Sequence, residues 1–130
     1  MALNDTLGNV LSGILNAEKK GKPIFTARPA SSMAKEVLRI MHENNYIGSF
    51  NIISEARGGE IEINLLGKIN KCGVIKPRFS IKYTNFEKFE KRFLPAKGFG
   101  IIIISTSKGL MTHFMAEEMK IGGKLIAYCY

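Results

Sequence analysis

The sequence contains no tryptophan, one aspartate, two histidines and two cysteines. Asp5 precedes an apolar helical pattern and suits a helix start better than the acid of a Ser-His-Asp triad. Cys72 and Cys129 lie far apart and have no paired cysteines beside them, so we expect reduced core thiols and no zinc site. No apolar run approaches the roughly 18 residues of a membrane span. These absences argue against metal, triad and membrane functions.

Phosphate-binding motifs are missing as well. The Walker pattern ends in Gly-Lys-Ser/Thr, and Ser107-Lys108-Gly109 does not replace it. Gly98-Phe99-Gly100 lacks the third glycine of a dinucleotide motif and precedes an apolar strand, whereas that motif follows one. A small phosphate-binding enzyme remains open only if His113 acts as a base for the hydroxyls at residues 105–107.

Acidic residues are scarce in the second half of the chain. Residues 1–66 hold seven lysines and arginines and seven acids, whereas residues 67–130 hold twelve lysines and arginines and four acids. The whole net charge of +8 therefore lies after residue 66. This asymmetry predicts that one lobe faces a polyanion. A merely soluble basic surface and a basic lobe that binds an acidic protein are the alternatives.

Hydrophobic periodicity predicts an α/β chain of the α+β type with two small lobes. The lobe at 1–66 has the order α-β-α-β-β, and the lobe at 67–130 is mainly antiparallel β with short helices. Gly122-Gly123 is predicted to stop the last helix. The first helix is expected to run from a cap at Asn4 or Asp5 to Gly21, with an apolar stripe at Leu7, Val10, Leu11, Ile14 and Leu15. The second is expected to run from a cap at Ser31 or Ser32 to Asn44-Asn45. We expect further helices at 86–93 and 112–120, and strands at 24–28, 46–54, 60–66, 69–75, 79–83, 101–104, 110–111 and 124–130.

Four consecutive isoleucines at residues 101–104 predict a strand that is buried on both faces. Three hydroxyl residues, a lysine and a glycine follow it directly, so a rigid strand delivers polar groups and one cation to a turn. Hydroxyls suit bases, sugars or phosphates, and lysine suits an anion. The alternative is a turn whose hydroxyls bond their own backbone. The basic half around this segment favours nucleic acid.

Cations and aromatic residues are mixed between residues 76 and 93. Lys76-Pro77-Arg78 places two cations on a chain that proline stiffens, which predicts a phosphate clamp. No helix has a row of basic residues for a DNA major groove, so RNA is favoured over DNA. Helical spacing predicts a core face, and no base stacking, for Phe86, Phe89 and Phe93.

Residues 104–112, Ile-Ser-Thr-Ser-Lys-Gly-Leu-Met-Thr, followed by Gly122-Gly123, resemble the signature of small-subunit ribosomal protein eight, a universal family. The resemblance extends along essentially the whole chain. Residues 46–50, 70–75 and 77–79 resemble the archaeal and eukaryotic branch, whose eukaryotic member is called ribosomal protein S-fifteen-a. The family's bacterial members usually have glutamate after the paired glycines, where this chain has Lys124.

The resemblance implies a two-lobed protein that binds the central domain of small-subunit ribosomal RNA directly and early in assembly. In the family the Ser-Thr-Ser segment contacts an irregular helix core, and the final segment approaches the same RNA. Lys124 therefore implies a phosphate contact. With the cations inferred above, the predicted RNA-binding residues are Ser105, Thr106, Ser107, Lys108, Gly109, Lys76, Arg78, Gly122, Gly123 and Lys124.

The same resemblance implies a structural role without catalysis. We expect a cytoplasmic protein of the small ribosomal subunit that supports translation. Its partners are expected to be the ribosomal RNA and neighbouring small-subunit ribosomal proteins. No cofactor, metal, membrane or DNA is expected, and neither is a homo-oligomer.

Overall fold

Four α-helices and eight strands occur in the residues that the structure describes, which are 6–27, 32–54, 60–76, 78–96 and 99–130 of a computed structural model. The predicted α+β class with antiparallel sheets is confirmed. The chain divides into two units, Met1–Cys72 and Gly73–Tyr130. The division into lobes at 1–66 and 67–130 was made from the sequence, and it stays a prediction.

The first unit consists of two helices and a three-stranded antiparallel sheet in the order β1-β3-β2. The apolar stripe predicted for the first helix is buried from Leu7 to Ile14, at most 3% exposed, whereas its last member, Leu15, is only half-buried. Asp5 and Arg28, which we assigned to a helix start and a strand end, lie outside the described residues. The elements are α1 (Thr6–Lys19), β1 (Ile24–Ala27), α2 (Ser32–Glu43), β2 (Ile47–Ser54) and β3 (Glu60–Leu65).

Cys72 and Cys129 are both buried thiols and are not joined by a disulfide. The Cys72 thiol donates a 3.5 Å hydrogen bond to the carbonyl oxygen of Leu11. Burial, with a smaller contribution from the charge of Glu18, raises the pKa of this thiol to about 12. The protonated form is therefore the stable one at neutral pH, and Cys72 behaves as an unreactive core residue.

The second unit has a five-stranded sheet in the order β4-β8-β6-β7, with β5 also paired to β8. All four isoleucines of the central strand β6 are at most 4% exposed, which confirms burial on both faces. Ile102 and Ile104 pack in a cluster with Phe86 of the third helix and Ala116 of the fourth. The elements are β4 (Cys72–Val74), β5 (Ser80–Ile81), α3 (Phe86–Phe93), β6 (Ile101–Thr106), β7 (Gly109–Thr112), α4 (His113–Met119) and β8 (Gly123–Cys129).

Several boundaries in this unit differ from the sequence prediction. The strands expected at 101–104 and 110–111 are longer, at Ile101–Thr106 and Gly109–Thr112. The strands expected at 69–75 and 79–83 are shorter, at Cys72–Val74 and Ser80–Ile81. The prediction that Gly122-Gly123 stops α4 is wrong. Lys120 ends the helix in the left-handed conformation, with φ of 58°. Its N–H bonds to the carbonyl oxygens of Ala116 and Glu117.

Gly122 and Gly123 are instead required where three backbone segments meet. A Cβ on Gly122 would overlap the carbonyl oxygen of Ile81 in β5. A Cβ on Gly123 would overlap the carbonyl oxygen of Ser105 in β6. Because only glycine fits at both positions, the pair allows β8 to begin between β5 and β6.

Candidate nucleic-acid interface

The β6–β7 hairpin closes in a two-residue turn formed by Ser107 and Lys108, which are both exposed. Thr106 pairs with Gly109 across the hairpin. Gly109 has a φ of 108°, in the left-handed region that favours glycine. The structure therefore places a serine and a lysine at the tip of a rigid strand pair, while Ser105 and Thr106 still lie within β6.

The Thr106 hydroxyl is used within the turn. It donates a 2.8 Å hydrogen bond to the carbonyl oxygen of Gly109 and accepts a 3.1 Å hydrogen bond from the Lys108 N–H. The Thr106 hydroxyl therefore bonds to the backbone of its own turn, which is the alternative to a ligand contact that the sequence left open. Ser105 and Ser107 make no side-chain hydrogen bond with another described residue. Thr106 thus holds the turn, and the hydroxyls of half-buried Ser105 and exposed Ser107 are not used in it.

Lys124 lies between two serines on one face of the sheet. Its position pairs with Ser80 of β5 on one side and with Ser105 of β6 on the other. Residues directly opposite in antiparallel strands project from the same face. Ser80 and Lys124 are exposed, and Ser105 is half-buried. The row Ser80-Lys124-Ser105 combines one cation with two small hydroxyls. Sequence reasoning missed Ser80, because no local signal shows which strand β5 joins.

The segment with the predicted phosphate clamp is fixed to β8 at both ends. The Ile75 N–H donates a 2.9 Å hydrogen bond to the carbonyl oxygen of Ile126. The Leu125 N–H donates a 3.0 Å hydrogen bond to the carbonyl oxygen of Phe79. Lys76 and Arg78, which are exposed between these anchors, therefore lie along the strand that contains Lys124. Pro77 lies outside the described residues.

Most aromatic residues of the basic half belong to the core, as predicted. Phe86 is 1% exposed, and Phe89 and Phe93 pack against the same hydrophobic cluster. The Arg92 guanidinium lies 5.3 Å from the centre of the Phe93 ring, so this cation contacts an aromatic ring of its own unit. The mixture of cations and rings in this stretch is explained mainly by packing.

His113 has no access to the hydroxyl turn, because its side chain is fully buried. Its Nδ1 accepts a 3.1 Å hydrogen bond from the Ile102 N–H, so the ring proton of neutral His113 lies on Nε2. Nε2 lies 3.3 Å from Oε2 of the buried Glu90, in poor alignment for a hydrogen bond. Both ring nitrogens face protein groups, which removes the only candidate base for a phosphate-binding enzyme.

The described part of the chain contains no group of three or more His, Cys, Asp or Glu side chains placed to hold a metal ion. None of its helices is both long and apolar enough to cross a membrane.

A hydroxyl-and-lysine turn at the tip of a strand pair, in the basic unit of an α+β fold, is a surface whose chemistry suits nucleic acid. The sequence matches the family described as ribosomal protein S8 over residues 5–130, and the chain belongs to that family. Members are structural proteins of the small ribosomal subunit that bind ribosomal RNA in translation, and they are not enzymes. The resemblance at family level is confirmed, and the protein is a component of the cytoplasmic ribosome.

Proposed function

We propose that this protein binds the central domain of small-subunit ribosomal RNA directly, early in subunit assembly, through the end of the sheet that contains the β6–β7 turn. The register that aligns Ser80, Lys124 and Ser105 is the observation that supports this proposal best. We further propose the archaeal and eukaryotic branch, from residues 46–50, 70–75 and 77–79 and from Lys124 after the glycine pair. The protein acts as one copy among neighbouring small-subunit proteins.

The proposed RNA-binding residues have three different tasks. Lys76, Arg78, Lys108 and Lys124 supply salt-dependent attraction to phosphates. The hydroxyls of Ser80, Ser105 and Ser107 form hydrogen bonds to 2′-hydroxyls and base edges of a distorted RNA helix. The remaining residues keep these groups in position, namely Thr106 and Gly109 in the turn and Gly122 and Gly123 at the start of β8.

Ser107→Ala should weaken binding to the cognate RNA core about fivefold, because it removes one positioned hydrogen bond of about 1 kcal/mol. Binding to a plain duplex of equal length should change less, because a regular helix does not offer the same partner. Filter binding on both RNAs measures the difference. Thr84→Ala, which removes an exposed hydroxyl from the same unit, is the matched control. An equal loss of affinity for both RNAs would contradict the proposal that Ser107 recognises the distorted helix.

Lys124→Ala should weaken binding to both RNAs alike, because a phosphate contact is blind to sequence. The slope of log affinity against log salt concentration should become shallower by about 0.7–0.9, the value of one phosphate contact. Titration between low and moderate salt measures this slope. Lys88→Ala, an exposed lysine of α3, should leave it unchanged. An unaltered slope for Lys124→Ala would remove this lysine from the interface.

A further inference from the structure

Helix α4 presents an apolar face to solvent. Its inner side is anchored by His113 and Ala116, which are both fully buried. On the outer side, Met115 and Met119 are four residues apart and therefore adjacent on the helix surface. Three of the seven large hydrophobic side chains exposed among the described residues belong to this short helix, namely Phe114, Met115 and Met119 at 44%, 53% and 41% exposure.

Two carboxylates lie on the same helix. Glu117 and Glu118 are exposed, and neither forms an ion pair with another described residue. They are two of only four acids in residues 67–130. Adjacent negative charges repel RNA phosphates and attract lysine or arginine. The charge of this face therefore favours a basic protein segment over RNA, although Lys120 follows at the helix end.

The outer face of α4 and the proposed RNA-binding row lie on opposite sides of the sheet. Ala116 of α4 packs in the cluster that contains Ile104 and Leu125. Ser105 follows Ile104 in β6, and Lys124 precedes Leu125 in β8. Successive strand residues project to opposite faces, so Ser105 and Lys124 lie on the face away from this cluster. A partner on α4 therefore does not compete for the sheet face that contains Lys124.

We propose that the α4 surface, formed by Phe114, Met115, Glu117, Glu118 and Met119, docks a neighbouring ribosomal protein through a segment that combines apolar side chains with lysine or arginine. The phenylalanine and the two methionines supply the anchors, because aromatic residues and methionine are enriched in the cores of interfaces. The two glutamates select the partner by charge. The statement that this partner and RNA bind to opposite faces of the sheet rests on the proposed function.

Site-specific photocrosslinking in assembled small subunits tests the proposal. One set of particles contains Phe114→benzoylphenylalanine, and a second contains Lys108→benzoylphenylalanine at the hairpin turn. The first should form an adduct with a lysine- or arginine-rich segment of another ribosomal protein, and the second should form an adduct with ribosomal RNA. An adduct from position 114 to RNA or to a second copy of this chain would overturn the docking proposal. The absence of any protein adduct from position 114, under conditions in which position 108 reacts, would also overturn the docking proposal.

The two proposals fail in different ways in this experiment. A protein adduct at position 114 without any RNA adduct at position 108 would contradict the RNA-binding site alone. Charge gives a second readout, because Glu117→Lys/Glu118→Lys should lower the yield of the protein adduct at least fivefold. Glu87→Lys, at an exposed acid of α3, is the matched control and should leave the yield unchanged. An undiminished adduct in the double variant would overturn the charge-based choice of partner.

Discussion

Gly123→Ala should lower the free energy of unfolding by about 3 kcal/mol, at the upper end of the range for overpacking. The added Cβ would meet the backbone carbonyl oxygen of Ser105 and lie 2.8 Å from Cγ2 of the buried Ile104. Neither atom can move away by a change of side-chain rotamer, because one is a backbone oxygen of the central strand β6 and the other belongs to a fully buried residue of that strand. The pairing of β8 with β6 must therefore shift, and RNA affinity should fall as Lys124 leaves its position beside Ser105.

Urea unfolding followed by circular dichroism measures this change, since the chain has no tryptophan for fluorescence. Gly73→Ala is the matched control in the same sheet. A Cβ there would meet only the Tyr128 ring, at 3.2 Å from its hydroxyl oxygen, and a ring edge can move. We expect this control to cost less than about 1 kcal/mol. Equal costs for the two variants would contradict a special requirement for glycine at position 123.

His113→Ala should cost about 3–5 kcal/mol of folding stability, because it empties a fully buried site and leaves two buried polar groups without their neighbour. The substitution leaves the carboxylate of Glu90 buried at 4% exposure without the imidazole. It also removes the acceptor of the Ile102 N–H in the middle of the core strand. RNA binding of the fraction that remains folded should be unchanged, because His113 has no access to the turn.

A double-mutant cycle with Glu90→Gln separates the two losses. In the Glu90→Gln background the carboxyl group that His113 faces is already absent, so His113→Ala should cost at least about 1 kcal/mol less than in the natural sequence. Chemical denaturation of the four proteins provides the cycle. Identical costs in both backgrounds would show that Glu90 and His113 are not coupled and that the loss comes from the cavity and from Ile102.

Much of the candidate site could be predicted from local sequence. Four isoleucines in succession predict a buried strand, and the segment directly after it, from Ser105 to Gly109, predicts a turn. The structure narrows this turn to Ser107 and Lys108, because β6 continues to Thr106. These are contacts between near neighbours in the chain, so residue order determines them. For the same reason, the helical spacing of Phe86, Phe89 and Phe93 predicted a core face, which holds a buried Phe86 and a partly buried Phe89 and Phe93. Separate charge counts for the two halves of the chain located the basic unit.

The rest of the site depends on contacts between residues far apart in the chain. Ser80 was missed because β5 is only two residues long, and its pairing with β8 follows from no periodicity. The glycine pair was assigned to the end of α4, since paired glycines after a helix commonly stop it. Its actual role depends on two strands that approach from elsewhere in the sequence.

By itself, the sequence determined the mixed class of fold, the buried isoleucine strand, the basic half and the resemblance to ribosomal protein S8. Each of these depends on composition, short-range periodicity or a contiguous signature. Only the tertiary structure decided that Lys124 lies between Ser80 and Ser105, that Thr106 is used inside its own turn, and that His113 faces Glu90. The physical reason is that strand register and side-chain burial are properties of the packed chain, set by residues many positions apart.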